Sequence, residues 1–230
     1  MQTIDAAAIS DLGIPRVLLM DHAGLAVARA ARELCRGDGS CLGFGRDDPE
    51  RAERPEGSVL VCCGTGFNGG DGLAAARHLS GWGYSVRVLL AGELRLLREE
   101  PAVFAGILRR LGVPMAEVTT PQAIEQRAPW WAEARLIIDA LLGIGLSGPT
   151  REPTTSLIQR INASGKPVVA ADIPSGLDGD TGLPHGEAVN ASVTVAFGLP
   201  KQGCRLARGP AHVGRLLVDP ITIPDRLLQG

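Results

Sequence analysis

Short unbroken runs of apolar residues recur along this chain, and most end in glycine-bearing polar turns. Val59 to Cys63, Ser85 to Ala91, Val113 to Val118, Arg135 to Leu142 and Pro167 to Ile173 are such runs. Bounded by turn residues and rich in β-branched side chains, they predict buried strands. Ala191 to Gly198 and His212 to Asp219 predict two late strands. Between them the apolar spacing turns helical: after the glycines that follow Cys63, over Pro101 to Leu111 and over Thr154 to Ser164. Ile4 to Leu34 reads as one or two helices, broken near Gly13-Ile14-Pro15. Gly37 to Gly57 is a polar connection rich in Gly, Pro, Asp and Arg. Strands alternating with helices, and strands apolar on both faces, indicate an α/β domain with a mostly parallel sheet covered on both sides. One domain over residues 1–230, with an N-terminal helical extension, is the expectation.

Composition narrows the class. At 230 residues, 45% hydrophobic and 21% charged, the chain fits an ordinary globular domain. A net charge of −2 gives no general attraction to nucleic acid or to an anionic membrane. No segment approaches the run of about 18 apolar residues that a membrane span requires. Five cysteines (Cys35, Cys41, Cys62, Cys63 and Cys204) show no CxxC spacing. Cys62 and Cys63 are neighbours in a strand and face opposite sides, so a reduced, cytoplasmic setting is expected. The opening MQTIDAAAISDLGIP lacks the basic and apolar regions of a secretory signal. Lys166 and Lys201 are the only lysines among 23 basic residues.

The candidate chemistry sits in three loops that directly follow predicted strands: Gly64 to Gly72, Asp139 to Pro149 and Asp172 to Gly182. Parallel strands place all their carboxyl ends on one edge, where such sheets bind ligands, so these loops should meet. The first holds five glycines within nine residues, ahead of an Ala-rich helix. A glycine turn between strand and helix start can present backbone N–H groups and the helix dipole to a phosphate. Gly64, Gly66 and Gly69 fit G-x-G-x-x-G, and Asn68 and Asp71 add polar side chains. That fingerprint alone is weak. A tight turn whose glycines merely let helix and strand pack explains it too. So does a dehydrogenase, with Glu93 near the end of the second strand to hold a ribose.

Asp139 and Asp172 each end an apolar strand, where a carboxylate needs a partner or a cation. Asp139 can equally cap a following turn. Ser175 lacks the G-x-S-x-G context of an acyl-transfer nucleophile. The four histidines (His22, His78, His185 and His212) suit structural roles, and no Cys/His cluster has zinc-ligand spacing. Asn68, Asp139 and Ser175 instead offer hard oxygen, which suits an alkali or alkaline-earth cation.

Four ordered segments, GTGFNGGDGLAAARHL, IIDALLGIGL, VVAADIPSGLDGDTG and TVAFGLPKQG, resemble the YjeF N-terminal domain, the NAD(P)H-hydrate epimerases. MDHAG resembles that family's first helix, and the similarity runs from about Ile4 to Pro224. The resemblance implies a Rossmann-like three-layer α/β/α sandwich. It also implies a repair activity that interconverts the R and S forms of hydrated NADH and NADPH at C6 of the damaged nicotinamide. A separate dehydratase then acts on the S form. In many bacteria that enzyme is fused C-terminally, whereas this sequence ends at Gly230.

Carried over by motif, Phe67, Asn68, Gly69, Gly70 and Asp71 would contact the hydrated dinucleotide. Gly143, Ile144, Gly145, Leu146, Ser147, Gly148 and Pro149 would wrap its phosphates. Asn68, Asp139 and Ser175 would hold one potassium ion, K+, per subunit. Asp172 would contact the substrate and act as the catalytic acid/base, and Lys201 is a candidate for charge support or a surface lysine. A homodimer is common in the family the chain resembles. Two departures stand out: Phe67 replaces the first Asn of the more usual NNGGDG, and Asp21-His22 stands where Glu-Asn is common. A catalytically inactive dimeric scaffold is the competing reading, and the joint presence of Asn68, Asp139, Asp172 and Ser175 argues against it.

Overall fold

The computed structural model describes residues 2–36, 57–145 and 148–228. Most of the polar connection expected over Gly37 to Gly57, along with Cys41, lies outside the described residues. Two helices, α1 (Gln2–Ser10) and α2 (Arg16–Arg36), precede β1 (Ser58–Cys63) and α3 (Phe67–Gly81). Then come β2 (Val86–Ala91), α4 (Glu99–Arg110), β3 (Met115–Val118), α5 (Pro121–Glu125), α6 (Ala128–Glu133) and β4 (Ala134–Ala140). The remainder is α7 (Thr154–Ala163), β5 (Val168–Ala171), β6 (Val193–Phe197), α8 (Gly209–Val213), β7 (Arg215–Asp219) and α9 (Asp225–Leu228).

The seven strands form one sheet in the order β3-β2-β1-β4-β5-β6-β7. Every pairing is parallel, so the sheet is wholly rather than mostly parallel. The chain winds outward from β1 in one direction and from β4 in the other. This is the Rossmann-type order, with its switch point between those two central strands. Alternation along β1 serves two cores. Val59, Val61 and Cys63 pack with Leu136, Ile138 and Ala140 beneath α2, α3 and α4. Leu60, Cys62 and Ile137 face the side covered by Ile124, Trp131, Leu157 and Ile161. Each fully buried large side chain of these layers contributes about 1.5–3 kcal/mol.

Helix α2 is more than an extension. Its Ala23, Val27, Ala28 and Ala31 are part of the first core. At Gly24 an added Cβ would lie 2.4 Å from the Ala74 Cβ, so a small-residue seam sets how closely α2 sits on α3. Two boundaries differ from the sequence expectation. Helix α3 starts at Phe67, so two thirds of the expected glycine loop is helical. The last strand starts at Arg215, because Val213 closes α8 and Gly214 turns the chain with φ 61. Among the described residues no helix is long and apolar enough to cross a membrane, and Cys35, Cys62, Cys63 and Cys204 are free and buried.

Candidate functional site

A cavity of about 960 Å³ opens over the carboxyl ends of β1, β4 and β5. Its size is at the upper end of small-molecule sites. Its floor is the turn after β1 (Gly64, Thr65, Gly66), the segment after β4 (Leu141 to Gly145) and Asp172 after β5. Arg16, Leu19 and Met20 of α2 form a wall, and Arg151 and Lys201 add positive charge. The register explains the convergence. Cys63 stands opposite Ala140, and the Gly64 N–H donates to the Ala140 carbonyl at 2.9 Å, which locks the two central turns together.

Of the residues singled out in the sequence, Phe67, Asn68, Asp71, Gly143, Ile144, Gly145, Pro149 and Asp172 line this cavity. Leu146 and Ser147 lie outside the described residues. Gly148 has a φ of +76 and does not line the cavity. Gly69 and Gly70 are buried, and close approach accounts for their lack of a side chain. A Cβ on Gly69 would fall 1.8 Å from the Gly64 carbonyl oxygen, and one on Gly70 would strike Met20.

Beneath the cavity lies a buried polar knot. Asp139 and Ser175 are both 0% exposed. The Ser175 N–H donates to Asp139 Oδ2 at 2.8 Å, and its hydroxyl donates to Oδ1 at 2.6 Å. The Leu142 N–H in turn donates to Ser175 Oγ at 2.9 Å. Asn68 Nδ2 donates to the Leu142 carbonyl at 2.9 Å, which joins the first loop to the second. Burial pushes the Asp139 carboxyl up to about 6, against the pull of the Ser175 and Leu141 hydrogen bonds. Asn68 Oδ1 is buried with no hydrogen-bond partner. Asn68 Oδ1, Asp139 and Ser175, linked through Leu142, are hard-oxygen donors of a kind that suits a cation.

At the other side of the floor, Asp172 is 9% exposed and Lys201 is 8% exposed. They form an ion pair through Asp172 Oδ1 and Lys201 Nζ. Lys201 is thus a buried residue rather than a surface one. The Phe197 N–H also donates to Asp172 Oδ1, at 3.1 Å. Asp172 holds a left-handed φ of 68, uncommon for a residue with a side chain and typical of functional positions.

The departures have clear surroundings. Phe67 is 53% exposed at the cavity, with the Arg16 guanidinium 5.0 Å from its ring centre. Arg16 is held in turn by Glu99 at 2.7 Å. Asp21 does not line the cavity: its Oδ1 accepts from Arg77 of α3 at 2.6 Å and lies 3.2 Å from His78 Nε2. Glu93 is paired with Arg95 at 2.6 Å and lies away from the cavity, so it offers no ribose contact. His185 is bound to Asp178 at 2.9 Å, a structural role as expected. The α2 wall and Arg151 were not foreseen, since nothing in their spacing marks them. The burial of Lys201 was legible only in part, as the sole lysine of the TVAFGLPKQG segment.

The strand order makes this a Rossmann-like α/β protein, with a cavity at the switch point on the carboxyl edge of the sheet, where such folds bind ligands. The chain belongs to the family described as YjeF-related protein N-terminus, whose profile matches residues 17–203. It is 34% identical over 218 residues to the NAD(P)H-hydrate epimerase of Limosilactobacillus fermentum, covering 95% of this chain and 92% of that one. It is 41% identical over 215 residues to the bifunctional NAD(P)H-hydrate repair enzyme Nnr of Pyrobaculum aerophilum. That match covers 93% of this chain but 39% of the longer relative, so the chain spans about two fifths of such bifunctional proteins. A crystal structure of the yeast protein ynu0, YNL200c, superimposes with a TM-score of 0.74 at 26% identity, covering 98% of this chain and 88% of that one.

Proposed function

We propose that this protein is an NAD(P)H-hydrate epimerase, interconverting the R and S forms of hydrated NADH and NADPH at C6 of the nicotinamide ring. The observation that carries the reading is the buried Asp172 carboxylate, presented at a strand end on the floor of a dinucleotide-sized cavity. Its relatives' names point the same way. Inversion at C6 requires one bond to that carbon to break and re-form on the opposite face. Asp172 would take the C6 hydroxyl proton as the C6–N1 bond opens, leaving an aldehyde at C6 and the electron pair on N1 in conjugation with the carboxamide, and would return the proton to oxygen as N1 closes on the opposite face. Phe67, Asn68 and Asp71 would line one side of the bound dinucleotide, and Gly143, Ile144, Gly145 and Pro149 the phosphate side.

Asn68, Asp139 and Ser175 would hold a potassium ion, which would supply a fixed positive charge beside the anionic substrate. The unpaired Asn68 Oδ1 supports that assignment. The chain would work as a homodimer and hand the S form to a separate NAD(P)H-hydrate dehydratase. The test couples the two. An equal mixture of R and S hydrates with an S-specific dehydratase alone should stop at about half conversion, because that enzyme leaves the R form untouched. Adding this protein should carry conversion to completion, and a stall at half conversion would contradict the reading.

A further inference from the structure

We infer that Lys201 is a positioning residue for the reaction, holding the Asp172 carboxylate oriented so that Oδ2 is the oxygen that exchanges the proton. The inference rests on the epimerase reading and deepens it. Lysine is rarely fully buried, and a buried charge is tolerated when paired and hydrogen-bonded. Lys201 meets both conditions, with Nζ paired to Asp172 Oδ1 and donating to the Phe197 carbonyl at 3.2 Å. Oδ1 also accepts the Phe197 N–H, so one carboxylate oxygen is anchored twice. No described residue donates to Oδ2.

The backbone reinforces the arrangement. The Asp172 N–H donates to the Val195 carbonyl at 2.8 Å, so main chain and carboxylate are both tied to β6. A rotation about the side-chain bonds would break two hydrogen bonds at once. The strained φ of Asp172 fits a residue held in place for its side chain rather than for the path of the chain. The pair also lies on the cavity floor rather than in the sheet interior, since both residues line the cavity. An ammonium has three donors, and two are used by Asp172 and Phe197. The buried Cys204 thiol, held above its ordinary range by burial, feels both charges of the pair, and no second described carboxylate forms an ion pair with Lys201.

Lys201→Met keeps the length of the side chain and removes the cation. The expected result is a fall in kcat of about 100-fold with KM within about threefold, the split left by losing a proton-transfer contribution without losing binding. In Lys201→Ala, ethylammonium should restore at least about a tenth of the lost rate, and it should do nothing for Lys201→Ala/Asp172→Asn. A merely structural lysine gives no such rescue. Circular dichroism confirms the fold of each variant. If the unpaired carboxylate prevents the single Lys201 variants from folding, Asp172→Asn is compared with Asp172→Asn/Lys201→Met, in which neither charge of the pair remains, at high enzyme concentration. Equal residual rates are expected, because Lys201 acts through Asp172. A folded Lys201→Met within about threefold of wild-type kcat overturns the inference, as does a further loss in the double variant. Wild-type activity is the control that separates these failures from a failure of the epimerase reading.

Discussion

Ser175 meets Asp139 twice, with its N–H on Oδ2 at 2.8 Å and its hydroxyl on Oδ1 at 2.6 Å. Asp139 of β4 and Ser175 in the segment after β5 are thereby fixed to each other, and through Leu142 to Asn68, whose Oδ1 is unpaired. An unsatisfied buried amide oxygen is worth about 1–3 kcal/mol of lost stability, and a bound cation would remove that loss. Potassium chloride in place of choline chloride should therefore raise the melting temperature by about 2–4 °C. Asn68→Ala and Ser175→Ala should abolish the difference between the two salts. Equal melting temperatures of the wild type in both salts would contradict the cation site.

Gly69 and Gly66 separate packing from permissive roles in the same turn. A Cβ at Gly69 strikes the Gly64 backbone, whereas one at Gly66 meets nothing within 4 Å. Gly69→Ala should lower stability by about 2–4 kcal/mol and shift the first turn of α3 away from Leu142, with loss of activity. Gly66→Ala should stay within about 0.5 kcal/mol of wild type. Denaturant unfolding of both variants checks the contrast.

Much of this was legible in the chain. The apolar runs now forming β1, β4 and β5 predicted the central strands, because strands buried on both faces have no polar alternation to disguise them. The convergence of Asn68, Asp139, Asp172 and Ser175 followed from parallel topology. The start of α3 did not, since Gly69, Gly70 and Gly72 have poor helix propensity and are helical because α2, α4 and β4 pack against them. Thr120, whose hydroxyl accepts the Ala123 N–H ahead of Pro121, was a readable helix start that the apolar pattern passed over. Arg16 and Met20 reach the cavity through the packing of α2, which no local pattern encodes.

His78 gives the fold a pH signature. Burial, helped by Arg77, holds its imidazole below the ordinary histidine range, against the opposing pull of Asp21. A depressed folded pKa means that the unfolded chain binds the proton more readily. Its stability contribution is therefore complete above about pH 6.5 and is lost as pH falls. Asp139, raised to about 6, acts in the opposite sense over the same range, so the His78 part is read as a difference: from pH 7 to 5.5 the unfolding free energy of wild type should fall relative to that of His78→Asn. Equal slopes in wild type and variant would contradict this origin.

Phe67 and Arg16 stack at an exposed position, worth about 0.5–1 kcal/mol. Phe67→Ala should therefore leave the fold within about 1 kcal/mol of wild type. Because the ring lines the cavity, KM for the hydrated dinucleotide should rise about threefold to tenfold with kcat nearly unchanged. Initial rates against substrate concentration give both values.

The most direct test of the central claim starts from the purified R form of hydrated NADH. The R and S forms are separated by chromatography at timed intervals, with wild type, Asp172→Asn and buffer alone run in parallel. Wild type should bring the two forms to equilibrium far faster than buffer. Asp172→Asn, folded by circular dichroism, should lose at least about 100-fold of that rate. Folded wild-type protein no faster than buffer would contradict the epimerase assignment, and an Asp172→Asn variant as fast as wild type would remove the acid/base role from Asp172.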